Sequence, residues 1–247
     1  MNDFILKRDK QYWADLESIV QTNAIDLQFI SENMQVFMMR RHINQTLAYY
    51  ELFKKVQHLP GSIAEFGVFF GNGLFTWLNL LETFLPHDRG RKVYGFDDMK
   101  GYERPVSVFE EDAVDYITNR RGSFQINNEC LSSLISLHNS DNLVPFDKRA
   151  ILYDGDVADT ILSFKEENPG VRFSLVNLDL NLYEPTKFVL ENIWHLVTKG
   201  GLVIFRGYGS KPWEGESRVV DEFVHGKDLD LNTIEFNNTP GCFIHKK

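Results

Sequence analysis

The chain has 247 residues, 43% hydrophobic and 25% charged, which is enough for one sizeable α/β core of ordinary globular composition. A formal net charge of −9 argues against non-specific binding to nucleic acid or an anionic membrane, while leaving room for a phosphate-bearing small molecule held by a local basic cluster. Apolar runs such as Phe66 to Phe70 are too short to span a bilayer, and Asp3, Lys7, Arg8, Asp9 and Lys10 break up the start, so a cytoplasmic protein is expected. Cys130 and Cys242 lie far apart with no metal-like spacing and are read as fillers.

In chain order, the first sixty residues read as a helical extension to a domain at 61–247. Leu27, Ile30, Met34, Phe37 and Met38 recur at three- and four-residue steps, as one face of an amphipathic helix. A second helix is expected over residues 45–57, with Leu47, Tyr50, Leu52, Phe53 and Val56 on it. Such an extension covers a core, binds substrate or forms a homodimer interface. From Ser62 onward short apolar runs alternate with helical periods. Strands are expected at residues 62–66, 92–96, 150–153, 173–178 and 202–205, and helices at 73–84, 128–137, 157–166 and 183–197. That alternation predicts a parallel sheet covered on both faces. Residues 231–236 and 242–245, separated by turn residues, read as a terminal hairpin, giving a Rossmann-like sheet of seven strands with an antiparallel edge. The long charged segment 102–121 follows a strand end, where lids occur.

The first strand runs into Glu65-Phe66-Gly67-Val68-Phe69-Phe70-Gly71-Asn72-Gly73 and then a helix. Glycines at such a turn let a ligand approach the backbone, and the helix N-terminus offers free N–H groups. The spacing E-x-G-x-x-x-G-x-G differs from the G-x-G-x-x-G of dinucleotide folds. Asp97, with Asp98 after it, ends the second strand where a carboxylate can accept from ribose hydroxyls, and Asp156 after the third can meet an adenine amine. An acidic surround suits a sulfonium cofactor with a free amine better than an anionic dinucleotide. The bland alternative is that the glycines only serve tight turns.

Ile63 to Phe69 with Gly71, then Tyr94-Gly95-Phe96-Asp97, Leu178-Asp179-Leu180-Asn181-Leu182-Tyr183-Glu184-Pro185-Thr186 and Lys199-Gly200-Gly201 resemble the macrocin O-methyltransferase family, over roughly residues 61–224. The resemblance implies a class I methyltransferase fold, S-adenosylmethionine as cofactor, and methylation of hydroxyls on deoxysugars or related sugars, often with magnesium gripping the acceptor diol. It puts Glu65, Gly67, Gly71, Asn72, Asp97, Asp98, Asp156 and Asp179 along the cofactor, with Asp179 matching the first acid of an Asp-x-Asp-x-Tyr stretch. Two departures stand out. The second acid is Asn181, and where the family shows Asp-Asp-Tyr-Gly this chain reads Arg206-Gly207-Tyr208-Gly209. Magnesium wants several oxygen ligands, and a guanidinium in their place repels a divalent ion, so the magnesium site is expected to be absent.

Arg206 then either orients the acceptor or forms a structural salt bridge with Asp179. Asp179 is the first candidate for general base, since strand ends at this face point into the ligand crevice; His138 and Asp98 follow. His195 and His245 read as structural, and His42 could reach an acceptor only if the N-terminal helices fold over the site. Tyr183 either starts a helix with Pro185 and Thr186 or walls the acceptor pocket. Tyr208 is a further substrate candidate, and Trp213 either stacks on a sugar or caps the core. Arg104, Arg120 and Arg121 can grip a nucleotide-sugar diphosphate or lie solvated. The leading reading is a sugar O-methyltransferase acting on a small-molecule sugar or nucleotide sugar. A non-catalytic cofactor-binding protein and, less favoured by the glycine spacing, a nicotinamide-dependent oxidoreductase are the alternatives.

Overall fold

In a computed structural model, residues 2–99, 128–210, 213–237 and 241–247 are described. Segment 102–121, with Arg104, Arg120 and Arg121, lies outside them. The chain divides into two compact units, Met1–Asn44 and Gln45–Lys247. The division falls ahead of residue 60 because Ala48, Tyr49, Leu52, Phe53 and Val56 are buried in the core of the second unit.

The first unit is helical: α1 Asn2–Thr22, α2 Leu27–Glu32, α3 Met34–Phe37 and the start of α4 Arg40–Val56. The single helix expected across residues 27–38 is broken at Asn33, whose backbone N–H and Nδ2 both donate to the Phe29 carbonyl. A short amide that competes for backbone acceptors favours a helix end over a helix interior. The apolar face it leaves is exposed at Leu27, Met34 and Val36.

The second unit continues with β1 Ser62–Phe66, α5 Asn72–Phe84, β2 Val93–Asp97, α6 Asn128–Asp141, β3 Ala150–Asp154, α7 Val157–Glu167, β4 Phe173–Leu178, α8 Tyr183–Ile193, β5 Val197–Phe205, α9 Glu214–Val224 and β6 Cys242–His245. The sheet order is β3-β2-β1-β4-β5-β6, parallel except for β6 against β5. β1 and β4 are buried along their whole length, as strands covered on both faces must be. Their side chains divide by the two-residue period. Ile63, Val93, Leu175, Leu202 and Ile204 face a layer containing α4 and α5, while Ala64, Phe66, Phe96, Val176, Leu178 and Phe205 face α7, α8 and α9. The order reverses between β1 and β4, so the crevice beyond their C-terminal ends is where a ligand of such a sheet binds.

Six strands, rather than the seven expected, are present among the described residues. The first arm of the hairpin is reduced to isolated bridges, Asn232 to Phe243 and Ile234 to Asn237. Of its apolar residues only Ile234 is buried, with Leu231 and Phe236 exposed, so little apolar area rewards a longer pairing. The helix expected over 183–197 stops at Ile193, and a 3₁₀ turn, Trp194–Leu196, leads into a β5 longer than expected. No helix among the described residues is long and apolar enough to cross a membrane.

Candidate active site

At the end of β1 the chain turns sharply into α5. Gly67 has φ +86°, and a Cβ there would overlap the carbonyl of Asp179 on the neighbouring strand end. Gly71 caps α5 in the same left-handed conformation, which glycine alone adopts freely. Gly73 leaves the space that the Glu65 carboxyl fills. Asp97 closes the turn from the next strand: Oδ2 accepts the Phe69 N–H at 2.7 Å and Oδ1 the Met99 N–H at 2.8 Å. Residues 67–73 are thereby held as a cradle around the α5 N-terminus, whose first N–H groups have no intrahelical partners.

A pocket opens beside this turn, lined by Gln45, Tyr49, Glu65, Val68, Phe69, Phe70, Asn72, Gly73, Asp179 and Arg206. Glu65 is buried at its base, where Oε2 accepts from Trp77 Nε1 at 2.7 Å and from Asn177 Nδ2 at 3.0 Å. Burial pushes its carboxyl up to about 8, so near neutrality it adds little charge. Tyr49, on α4, stacks on Trp77 with ring centroids 4.5 Å apart, and its hydroxyl accepts from Gln45 Nε2 at 3.4 Å. Burial, then the neighbouring Glu65, push the Tyr49 hydroxyl pKa well up, which keeps it a neutral phenol.

Among the described residues, the charged part of the pocket is one ion pair. Arg206 Nη1 donates to both Asp179 oxygens, at 2.9 Å to Oδ2 and 3.1 Å to Oδ1. Asn181 Nδ2 donates to Asp179 Oδ1 at 3.1 Å and to its carbonyl at 3.2 Å. The Asp179 carboxylate first, against the opposing effect of burial, holds the Arg206 guanidinium above its ordinary range. Arg206 Nε is buried and has no hydrogen-bond partner among the described residues.

The structure therefore brings Glu65, Gly67, Asn72, Asp179 and Arg206 together, with Asp97 tying the turn. It does not bring in every expected residue. His138 lies against the Phe75 ring, centroids 4.4 Å apart, and burial lowers its pKa; it is not among the pocket-lining residues. Asp156 caps α7 by accepting the Ala158 N–H at 2.8 Å, and Asp98 follows β2 outside the pocket lining. Tyr183 donates to Glu222 at 2.8 Å and Tyr208 to Asp221 at 3.0 Å, both on α9. Trp213 is buried at the N-terminus of that helix, where its carbonyl accepts from Ser217, so it caps rather than offering an open stacking face. Gln45 and Tyr49 are not legible as site residues: the apolar pattern of this helix picks out Tyr50, not Tyr49, and nothing local marks Gln45 or Tyr49 as facing a pocket.

A parallel sheet with a Gly-rich first turn, an acid closing it from the second strand, and a carboxylate at the switch point is the framework of an α/β methyltransferase. Residues 36–245 match the model of the macrocin-O-methyltransferase (TylF) family, and the chain belongs to that family, as an S-adenosylmethionine-dependent O-methyltransferase. The chain is similar to the crystal structure of CalS11, calicheamicin methyltransferase, at 26% identity and TM-score 0.83, covering 96% of this chain and 92% of that one. An apo structure of CalS11, a TDP-rhamnose 3′-O-methyltransferase of calicheamicin biosynthesis, matches at 25% identity and TM-score 0.80, covering 96% of this chain and 94% of that one. The O-methyltransferase NovP shares the fold at 20% identity and TM-score 0.63, covering 84% and 79% of the two chains. No curated protein matches.

Gly67→Ala tests the cradle. A Cβ at positive φ costs about 1–3 kcal/mol, and here it also meets the Asp179 backbone. S-adenosylhomocysteine binding, measured by calorimetry, is expected to weaken about tenfold or more. Wild-type affinity in the variant would show that the turn does not hold the cofactor.

Proposed function

We propose that the protein methylates a hydroxyl of a sugar, presented as a nucleotide sugar or as part of a natural product or surface polysaccharide, and that it does so without the magnesium site implied by the family pattern. The observation that carries this reading is the Asp179–Arg206 pair at the mouth of the cofactor turn. The turn of residues 67–73 supports S-adenosylmethionine through the free N–H groups at the start of α5, and Asp97 ends β2, where a carboxylate can accept from ribose hydroxyls. When bound, the cofactor supplies an electrophilic methyl group on a sulfonium.

The chain's own residues supply the rest. In this reading Asp179, which lines the pocket, takes the acceptor's proton as the nucleophile forms, the role a carboxylate plays in general-base catalysis. Arg206 orients that carboxylate and offers a fixed positive charge to the developing alkoxide. Tyr49 and Gln45, from α4, wall the same pocket with neutral hydrogen-bonding groups.

The donor set does not suit magnesium. Both Asp179 oxygens receive N–H donors from Arg206, and Asn181 turns its amide nitrogen toward the same carboxylate. An octahedral cation needs oxygen ligands at that place, whereas a guanidinium there repels it. No cluster of three or more His, Cys, Asp or Glu able to hold a metal occurs among the described residues.

The test is twofold. Calorimetric titration with S-adenosylhomocysteine, in EDTA and in magnesium chloride, is expected to give the same affinity. Methyl transfer to a panel of TDP-linked deoxysugars, followed by mass, is expected to proceed at the same rate in both. Abolition of turnover by EDTA, restored by magnesium, would sink the metal-free reading. Binding without turnover on any sugar would favour a cofactor-binding protein without catalysis.

A further inference from the structure

Glu216 is fully buried in the first turn of α9. Each of its oxygens is taken by a backbone N–H from a different loop: Gly207 donates to Oε1 at 2.8 Å and Asn181 to Oε2 at 3.0 Å. One loop follows β5 and the other follows β4. Asn181 stands at φ +65°, a conformation that asparagine tolerates better than most residues, and its Nδ2 returns to Asp179 Oδ1. Asp179 is held by Arg206, which is bonded to Gly207 through the chain. A closed ring results: Glu216, Asn181, Asp179, Arg206, Gly207 and back to Glu216.

We propose that Glu216 is a positioning residue for methyl transfer, which fixes the Asp179–Arg206 pair at the pocket by clamping the two strand-end loops to each other. This rests on the methyltransferase reading of Asp179 given above. Helix start alone does not call for this residue. An acid favours a helix N-terminus when it is exposed, but a fully buried carboxyl carries a large desolvation cost, visible in the rise of Glu216 to about 8. An apolar side chain would fill the same space without that cost, yet would leave the Asn181 and Gly207 N–H groups unpaired. Position 207 conforms to the ring as well. A Cβ there would come within 2.8 Å of Asn181 Oδ1 and 3.0 Å of Glu216 Oε2, so glycine is what the closed ring admits.

The experiment compares wild type with Glu216→Gln and Glu216→Ala by two readouts. The first needs no acceptor: the ¹H–¹⁵N signal of the buried Arg206 Nε–H, identified by its loss in Arg206→Lys. It is expected to be sharp and slow to exchange in wild type, weakened in Glu216→Gln, which keeps one acceptor oxygen, and lost in Glu216→Ala, with S-adenosylhomocysteine affinity retained throughout. The second is turnover of TDP-rhamnose, where kcat is expected to fall about 10²-fold in Glu216→Ala with KM little changed, the scale set by misplacing a catalytic group by an ångström. An unaltered Nε–H signal in folded Glu216→Ala overturns the proposal, as does full kcat. Should Glu216→Ala fail to fold, an unaltered signal in Glu216→Gln overturns it equally. If wild type does not use TDP-rhamnose, that choice of acceptor fails, and the nitrogen signal still decides the role of Glu216.

Discussion

Asp179→Asn is expected to lower kcat by about 10²–10⁴-fold, the range a general base contributes, while S-adenosylhomocysteine affinity stays near wild type. The substitution keeps the shape of the side chain and removes its charge. It also takes away the counter-ion of Arg206, whose side chain is 30% exposed in its present pairing. Loss of activity could therefore come from a missing base or from a guanidinium that has turned elsewhere. The double variant Asp179→Asn with Arg206→Met separates the two. If the base is what matters, the double variant is as inactive as the single one; if a freed arginine blocks the pocket, removing it restores turnover. Rates measured by single turnover on a TDP-sugar, beside a melting curve for each variant, decide this. Near-wild-type kcat in Asp179→Asn would remove it from the chemistry.

The second large effect is on stability, at the opposite end of the sheet. Arg149→Met is expected to cost about 3–5 kcal/mol, as removal of one partner from a buried charged network does, and to lower Tm by roughly 10 °C for a chain of this size. Arg149 has no exposed side-chain surface, and its guanidinium donates to Glu82 at 2.7 Å and to the carbonyls of Leu85 at 2.8 Å, Asp88 at 2.6 Å and Arg91 at 3.3 Å. Methionine fills much of the volume but strands those carbonyls in the interior. Glu82 keeps Arg89 as a partner, so the cost falls on the backbone of the α5–β2 connection. That connection enters β2 from the N-terminal ends of the strands, far from the Gly-rich turn, so kcat measured below the transition should be unchanged. A fall in Tm of only a degree or two would mean that water replaces the guanidinium at that end of the sheet.

Much of this molecule is legible without coordinates. The strand pattern follows from apolar runs flanked by Gly, Asp and Pro, because parallel strands bury both faces and show it in sequence. The Gly-rich turn and Asp97 are legible because only certain residue types serve a close backbone approach, and the pairing of Arg206 with Asp179 was one of two readings open at that position. Other features are not local in the chain. Tyr49 enters the site because α4 packs over Trp77, a contact between residues twenty-eight positions apart. Glu216 carries no local signal in the sequence, and only the topology, which brings the ends of β4 and β5 over the start of α9, shows that it is buried. The break at Asn33 and the seventh strand missing among the described residues escape periodicity for different reasons: an asparagine amide ends the helix from within, and the arm at 231–236 has little apolar area to reward a longer pairing.

The ring around Asp179 also bears on how such a site can change over generations. Between an acidic, metal-binding version and this one lie three positions, 181, 206 and 207, and no single replacement leads comfortably from one to the other. Asn181→Asp sets two carboxylates against each other. Gly207→Asp drives a side chain into Asn181 and Glu216. Arg206→Asp leaves a cluster of acids around a buried Glu216 with no cation to offset them. Each of these single replacements disturbs the ring, so the metal-free arrangement proposed above does not convert to an acidic one a residue at a time. On the proposed reading, variation in acceptor choice is left to the wall of the pocket at half-buried Gln45, since Tyr49 is fixed in the core against Trp77.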